Sequence, residues 1–76
     1  MKDLIDYILA GILKDQTYEV EESKEGDREI FVVKVPKDVF GLVIGKGGNT
    51  IRSIRSLLRV RATLDKTLFD LQVVEK

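Results

Sequence analysis

Seventy-six residues, 43% of them hydrophobic, suffice for one small core and are too few for two. The chain has neither cysteine nor histidine, which excludes a disulfide framework and a thiolate metal site and removes the commonest general base and metal ligand. Thirteen bases balance thirteen acids, so bulk charge alone does not draw this chain to a nucleic acid.

Near the N-terminus, Leu4, Ile5, Ile8, Leu9, Ile12 and Leu13 recur in two adjacent columns of helical spacing. They predict an amphipathic helix of about three turns, with Lys2, Asp6 and Lys14 on its opposite face. Covering a sheet is the expected role of such a helix. Docking a partner or a membrane surface is the alternative, and the scarcity of cations makes the membrane a poor one. From Thr17 to Ser23, Tyr18 and Val20 alternate with Glu19 and Glu21, the period of a strand with one wet face. Lys24-Glu25-Gly26-Asp27 reads as a polar turn. Glu29 to Val35 is rich in β-branched residues and apolar on both faces near its middle, as a central strand should be. The two strands are expected to form an antiparallel hairpin, which Pro36 ends because it has no N–H for the ladder.

Asp38 is a candidate N-cap for a short helix carrying Val39, Phe40, Leu42, Val43 and Ile44, and Gly45 stops it. A further helix is expected from Asn49 or Thr50, either of which could cap it, to about Arg61. Its buried face is read as Ile51, Ile54, Leu57 and Leu58, and Arg52, Arg55 and Arg59 make a basic stripe on another face. Leu68 to Val74, with Phe69, Leu71 and Val73 alternating against Asp70 and Gln72, is the third strand. A connection of about thirty residues holding two helices brings that strand back parallel to the second. The expected fold class is therefore α+β in the order αββααβ, a three-stranded mixed sheet with three helices packed on one face.

The longest apolar runs, Tyr7 to Ala10 and Ile30 to Val33, are four residues each, against the roughly 20 that span a bilayer. No basic segment followed by an apolar core opens the chain as a secretory signal would, so a cytoplasmic location is the default expectation.

Charge is unevenly distributed. Residues 1–38 hold ten acids against six bases, a local charge of −4, whereas residues 39–76 hold seven bases against three acids, a local charge of +4. Between Val39 and Leu64 there is no acid, and Lys46, Arg52, Arg55, Arg59 and Arg61 all lie there. The positive field sits on and just after the glycine turn of Val43-Ile44-Gly45-Lys46-Gly47-Gly48-Asn49-Thr50-Ile51. Three glycines in four positions let a backbone or ligand approach closely. The start of the following helix presents unpaired N–H groups and the positive end of its dipole, so the expected visitor is a phosphate. Two nucleotide motifs fail on spacing. A P-loop needs serine or threonine where Gly47 stands and a first glycine one place before Gly41; the dinucleotide fingerprint needs glycine at Thr50 and a strand directly ahead. With scattered carboxylates and no histidine or cysteine, no nucleophile and base pair is visible, and no enzymatic activity is expected.

The stretch Val43 to Ile51 resembles the V-I-G-x-x-G-x-x-I signature of the KH domain, set between two helices as that family sets it. With a helix and strand ahead of the βααβ core the arrangement looks like the type II, prokaryotic form. Residues 1–76 as a whole are similar to the small bacterial single-KH RNA-binding proteins of the KhpA-like family. The resemblance implies a clamp on about four single-stranded nucleotides. Gly45 and Gly48 would be its paired glycines, and Lys46 and Gly47 the exposed residues whose N–H groups meet phosphate, with Lys46 adding a charge. Ile44, Ile51 and Leu68 to Leu71 would floor a groove for the bases, and Ala62 to Thr67 would form the variable loop on the far rim. Ile44 and Ile51 could equally be core, and Gly45 and Gly48 could simply turn the chain. Arg52 and Arg55, with Arg59, either contact RNA or form a solvated face, Arg52 lying nearest the loop. Asn49 departs from the pattern, since relatives often carry a basic residue there; it removes a phosphate contact and suits a helix cap. Together with the neutral net charge this implies weak, salt-dependent binding by one domain.

The implied function is a non-catalytic RNA chaperone or post-transcriptional regulator, with a link to cell-envelope or division control. The implied partners are single-stranded RNA and either a second copy of the chain or a larger KH-containing RNA-binding protein. No cofactor, metal or membrane is expected. The alternative is an assembly domain that keeps the KH fold and binds little RNA of its own.

Overall fold

The computed structural model describes residues 1–14 and 17–76. The elements follow the expected order: α1 (Lys2–Leu13), β1 (Glu19–Glu25), β2 (Arg28–Val35), α2 (Lys37–Ile44), a 3₁₀ turn (Lys46–Gly48), α3 (Asn49–Asp65) and β3 (Leu68–Glu75). The sheet order is β1-β2-β3, with β1 antiparallel and β3 parallel to β2. This is the mixed α+β arrangement expected of a type II KH domain.

Strand alternation decides which face carries the helices. Phe31, Val33 and Val35 of β2 are buried at every second position, and the register sets Phe31 beside Leu71 and Val33 beside both Val20 and Val73. Against this face lie the stripes Ile5, Leu9 and Leu13 of α1, Val39 and Val43 of α2, and Ile51, Ile54 and Leu58 of α3, in one continuous cluster. Among the described residues no polar or charged side chain is buried. The opposite face is held by ion pairs between neighbouring strands, Lys34 to Glu21 at 2.8 Å and Arg28 to Asp70 at 3.1 Å. The Glu21 carboxylate holds the Lys34 ammonium above its ordinary pKa, by a hydrogen bond and by its charge. Lys2 pairs with Asp6 on the wet side of α1 as its spacing suggests, and the half-buried Tyr18 donates its hydroxyl to the Asp6 carbonyl at 3.3 Å.

Several boundaries differ from the sequence expectation. The first strand is Glu19–Glu25 rather than Thr17 to Ser23, so Lys24 and Glu25 belong to the ladder and only Gly26-Asp27 turns. Gly26, at φ +63°, reverses the chain in two residues and lets Glu25 pair directly with Arg28. Asp38 does not cap α2: the helix starts one residue earlier after Pro36, and Asp38 lies in its first turn, where the dipole favours a carboxylate. Neither Asn49 nor Thr50 caps α3 with its side chain; Asn49 is already helical, and the N-cap place belongs to left-handed Gly48.

The largest difference is at the C-terminal end of α3. The helix continues to Asp65, with Ala62 extending the buried stripe from Leu58, so the segment Ala62 to Thr67 is helix and a two-residue link instead of a long variable loop. Lys66 ends the helix in the left-handed region at φ 56°, and the Thr67 amide returns to the Ala62 carbonyl at 2.9 Å, a Schellman closure without glycine. Leu57, assigned above to the buried face, is 55% exposed. Leu58 alone takes the core position of that turn.

Candidate nucleic-acid interface

The glycine loop is built by three different backbone requirements. Gly45 closes α2 at φ 78°, ψ 166°, its N–H donating to the Gly41 carbonyl at 2.7 Å. A Cβ on Gly45 would overlap the Thr50 hydroxyl and stand 2.6 Å from the Thr50 Cβ, so this position needs glycine for space as well as for φ. Gly47 and Gly48 are both left-handed, at φ 62° and 77°, with nothing within 4 Å of where a Cβ would stand. They are free for an incoming group to approach. The Gly48 amide returns to the Gly45 carbonyl at 3.0 Å and the Asn49 amide to the Lys46 carbonyl, which holds Lys46 and Gly47 outward at the tip.

Directly behind the tip α3 begins, 17 residues long, with its N-terminal dipole end at the loop and no side-chain cap to neutralise it. A groove of about 380 Å³ runs along its first three turns, lined by Gly48, Ile51, Arg52, Arg55, Ser56 and Arg59. Three arginines at helical spacing thus fall on one groove wall. Arg52 donates to the Asn49 side-chain oxygen at 3.4 Å, so Asn49 orients an arginine in place of capping the helix. Arg55 reaches across to the Leu71 carbonyl of β3 at 3.0 Å. Arg61 points elsewhere and is neutralised by Asp65 at 2.9 Å, which also raises its pKa. Neither Lys46, Arg52, Arg55 nor Arg59 has a carboxylate partner among the described residues.

The expected floor is only partly formed as read. Ile51 lines the groove while remaining 8% exposed, and half-buried Ile44 packs against the core. Leu71 is a core residue, and Leu68 lies beside Arg28 in register on the opposite face of the sheet, 54% exposed. Alternation along β3 makes a four-residue side-chain floor impossible, and no β3 residue lines the groove; the strand meets α3 through the Leu71 carbonyl that Arg55 holds. Ser56 and the Leu71 carbonyl were not anticipated. Ser56 is one turn beyond Arg52 and was findable from helical spacing, whereas a backbone carbonyl leaves no mark in a sequence.

Residues 2–73 match the KH domain of the KhpA/KhpB family. The chain belongs to that family. The family is a non-enzymatic one. Relatives include the RNA-binding protein KhpA of Chlamydia trachomatis, 31% identical over 77 residues that cover 100% of this chain and 99% of that protein. The RNA-binding protein KhpA of Thermotoga maritima is 38% identical over 60 residues, 76% of this chain and 79% of that one. That of Treponema pallidum is 34% identical over 97% of this chain and 94% of its own length. No solved structure matches the chain. No helix among the described residues is long and apolar enough to cross a membrane.

Proposed function

We propose that residues 1–76 act as a single KH unit that binds single-stranded RNA in the cytoplasm, with Gly45 to Gly48 clamping the backbone. Ile44, Ile51, Arg52 and Arg55 would flank the bases, and Asn49 would steady Arg52. The observation that carries this reading is the exposed Lys46-Gly47 tip at the uncapped start of α3, continuous with an arginine-lined groove that holds no acid. The curated relatives are named RNA-binding proteins, which supports the same reading. A regulator or chaperone of RNA, with a link to envelope or division control, is the cellular role that fits a non-catalytic binder.

The test is a salt titration of binding to an unstructured RNA octamer and to a blunt duplex of equal length. A clamp on three or four phosphates gives a log–log slope of about −2 to −3, and the single strand binds more tightly than the duplex. Lys46→Ala should weaken binding and flatten the slope by about 0.7. Equal affinity for duplex and single strand, or an unchanged slope in the variant, counts against the clamp.

Four nucleotides are a small footprint, and pairing two clamps raises avidity without a new contact to RNA. Leu57, Val60 and Leu64, at 55%, 61% and 75% exposure, form an apolar stripe on α3 at helical spacing and favour association with a second copy or with another KH protein. Sedimentation at tens of micromolar should find a dimer, and Val60→Glu should return it to monomer. A monomer for the parent chain that also fails to pair with a larger KH protein rejects this part of the reading.

A further inference from the structure

Helix α3 carries three stripes in a fixed order round its axis. Ile51, Ile54, Leu58 and Ala62 face the core, Arg52, Arg55 and Arg59 line the groove, and Leu57, Val60 and Leu64 stand exposed. At about 100° per residue, the arginines lie roughly 140° to one side of the exposed apolar stripe and the core residues roughly 130° to the other. A copy packed through the apolar stripe therefore keeps its body on one flank of α3 and its groove open on the opposite flank. Charge decides the direction of packing. Lys46, Arg52 and Arg55 gather at the N-terminal end, where the dipole is positive and no side chain caps it. At the C-terminal end stand the negative pole of the dipole, Asp65, which is the only acid of α3, and Lys66, a cation which that pole favours. Parallel packing sets two positive ends abreast, whereas antiparallel packing sets each beside the C-terminal end of the other copy. Centred on Val60, the antiparallel pair also matches the stripe to itself, with Leu57 of each copy against Leu64 of the other.

Two antiparallel helices are related by a twofold axis perpendicular to the plane that holds them. That operation keeps both bodies on one side of the pair and both grooves on the other, while it reverses the direction of α3. With helix axes about 8–10 Å apart, the grooves lie on the two shoulders of one open face and run in opposite directions. A strand held with a given polarity toward its glycine loop thus meets a second strand of the reverse polarity, the relation that a base-paired duplex requires. Each clamp covers about four nucleotides, so longer strands keep flanking bases free to pair. We propose that the paired chain anneals complementary RNA strands, each copy holding one of them. This rests on the single-stranded RNA reading and the α3 association above, and adds an activity to them. Two strands on one dimer face each other at an effective concentration of about millimolar, well above tens of micromolar in solution.

The experiment follows annealing of two complementary, unstructured RNA strands carrying a donor and an acceptor fluorophore, by stopped flow at tens of micromolar. The parent chain should speed annealing about tenfold, most strongly near one dimer per two strands, and less when dimer is in excess and each strand occupies its own. Val60→Glu should bind an RNA octamer as the parent does, yet speed annealing by less than about twofold; melting curves confirm that it is folded. Direction is read separately, because the chain has no cysteine of its own. Leu57→Cys and Leu64→Cys chains, mixed and oxidised, should form the mixed disulfide that antiparallel packing allows. Disulfides of Leu57→Cys with itself mark parallel packing and overturn the proposal. So does a parent chain that binds the octamer without speeding annealing, or a Val60→Glu chain that speeds it equally, since simple charge screening then suffices. A parent chain that stays monomeric removes the association and this activity with it, while octamer binding keeps the RNA reading. If the octamer does not bind, the RNA reading itself falls.

Discussion

Gly47→Asp is expected to weaken binding of a single-stranded RNA by about tenfold or more while leaving the fold intact. The reasons for the two halves of this result are separable. Gly47 sits at φ 62°, ψ 20°, a region aspartate enters more readily than most residues, and no atom lies within 4 Å of the new Cβ. The structural cost is thus a left-handed strain of about 1 kcal/mol. A carboxylate at the tip faces any incoming phosphate at close range. Two like charges about 4 Å apart repel by about 1 kcal/mol in water and more as water is displaced, enough with the blocked approach to reach a tenfold loss. Gly45→Ala, two residues away, should do the opposite: the methyl group meets Thr50, the turn between α2 and α3 must open, and stability falls together with binding. Melting and anisotropy on both variants distinguish them. A Gly47→Asp chain that binds RNA as well as the parent leaves the assembly reading as the better one.

Most of this architecture is legible in the sequence because its elements carry strong periods and explicit punctuation. Pro36 and Gly45 end their elements where they stand, and the glycine loop declares itself by composition. The differences lie where the same geometry is made by less usual residues. Lys66 takes a left-handed closure that glycine would announce, so nothing in the sequence marks the turn beyond Arg61 as helix or Ala62 as core. Leu57 and Leu58 are adjacent leucines, and helical spacing alone does not choose between them; packing against the sheet chooses Leu58. Asn49 has the chemistry of a cap, yet Gly48 already bends the chain, so the amide side chain turns to Arg52 instead. In the site, the loop residues are marked by type, whereas only the fold reveals that Arg55 crosses to the Leu71 carbonyl of β3.

Phe31→Ala should be the most damaging single truncation for stability, with a loss of about 3–5 kcal/mol. Phe31 has no exposed surface and lies on the central strand, between Glu22 of β1 and Leu71 of β3, so its ring supports the sheet in both directions. A chain of this length has a total stability of roughly 4–11 kcal/mol, and the truncation consumes a large part of it. β3 pairs with β2 alone, so the same cavity loosens the strand that presents the Leu71 carbonyl to Arg55. Urea unfolding should show a midpoint moved strongly downward at nearly unchanged slope. Leu57→Ala removes a side chain of similar chemistry from an exposed helix position and should move the midpoint little. If the two variants lose comparable stability, Leu57 is covered in solution, and the α3 stripe is then the first place to look for what covers it; a self-associating chain would betray this by a midpoint that rises with protein concentration.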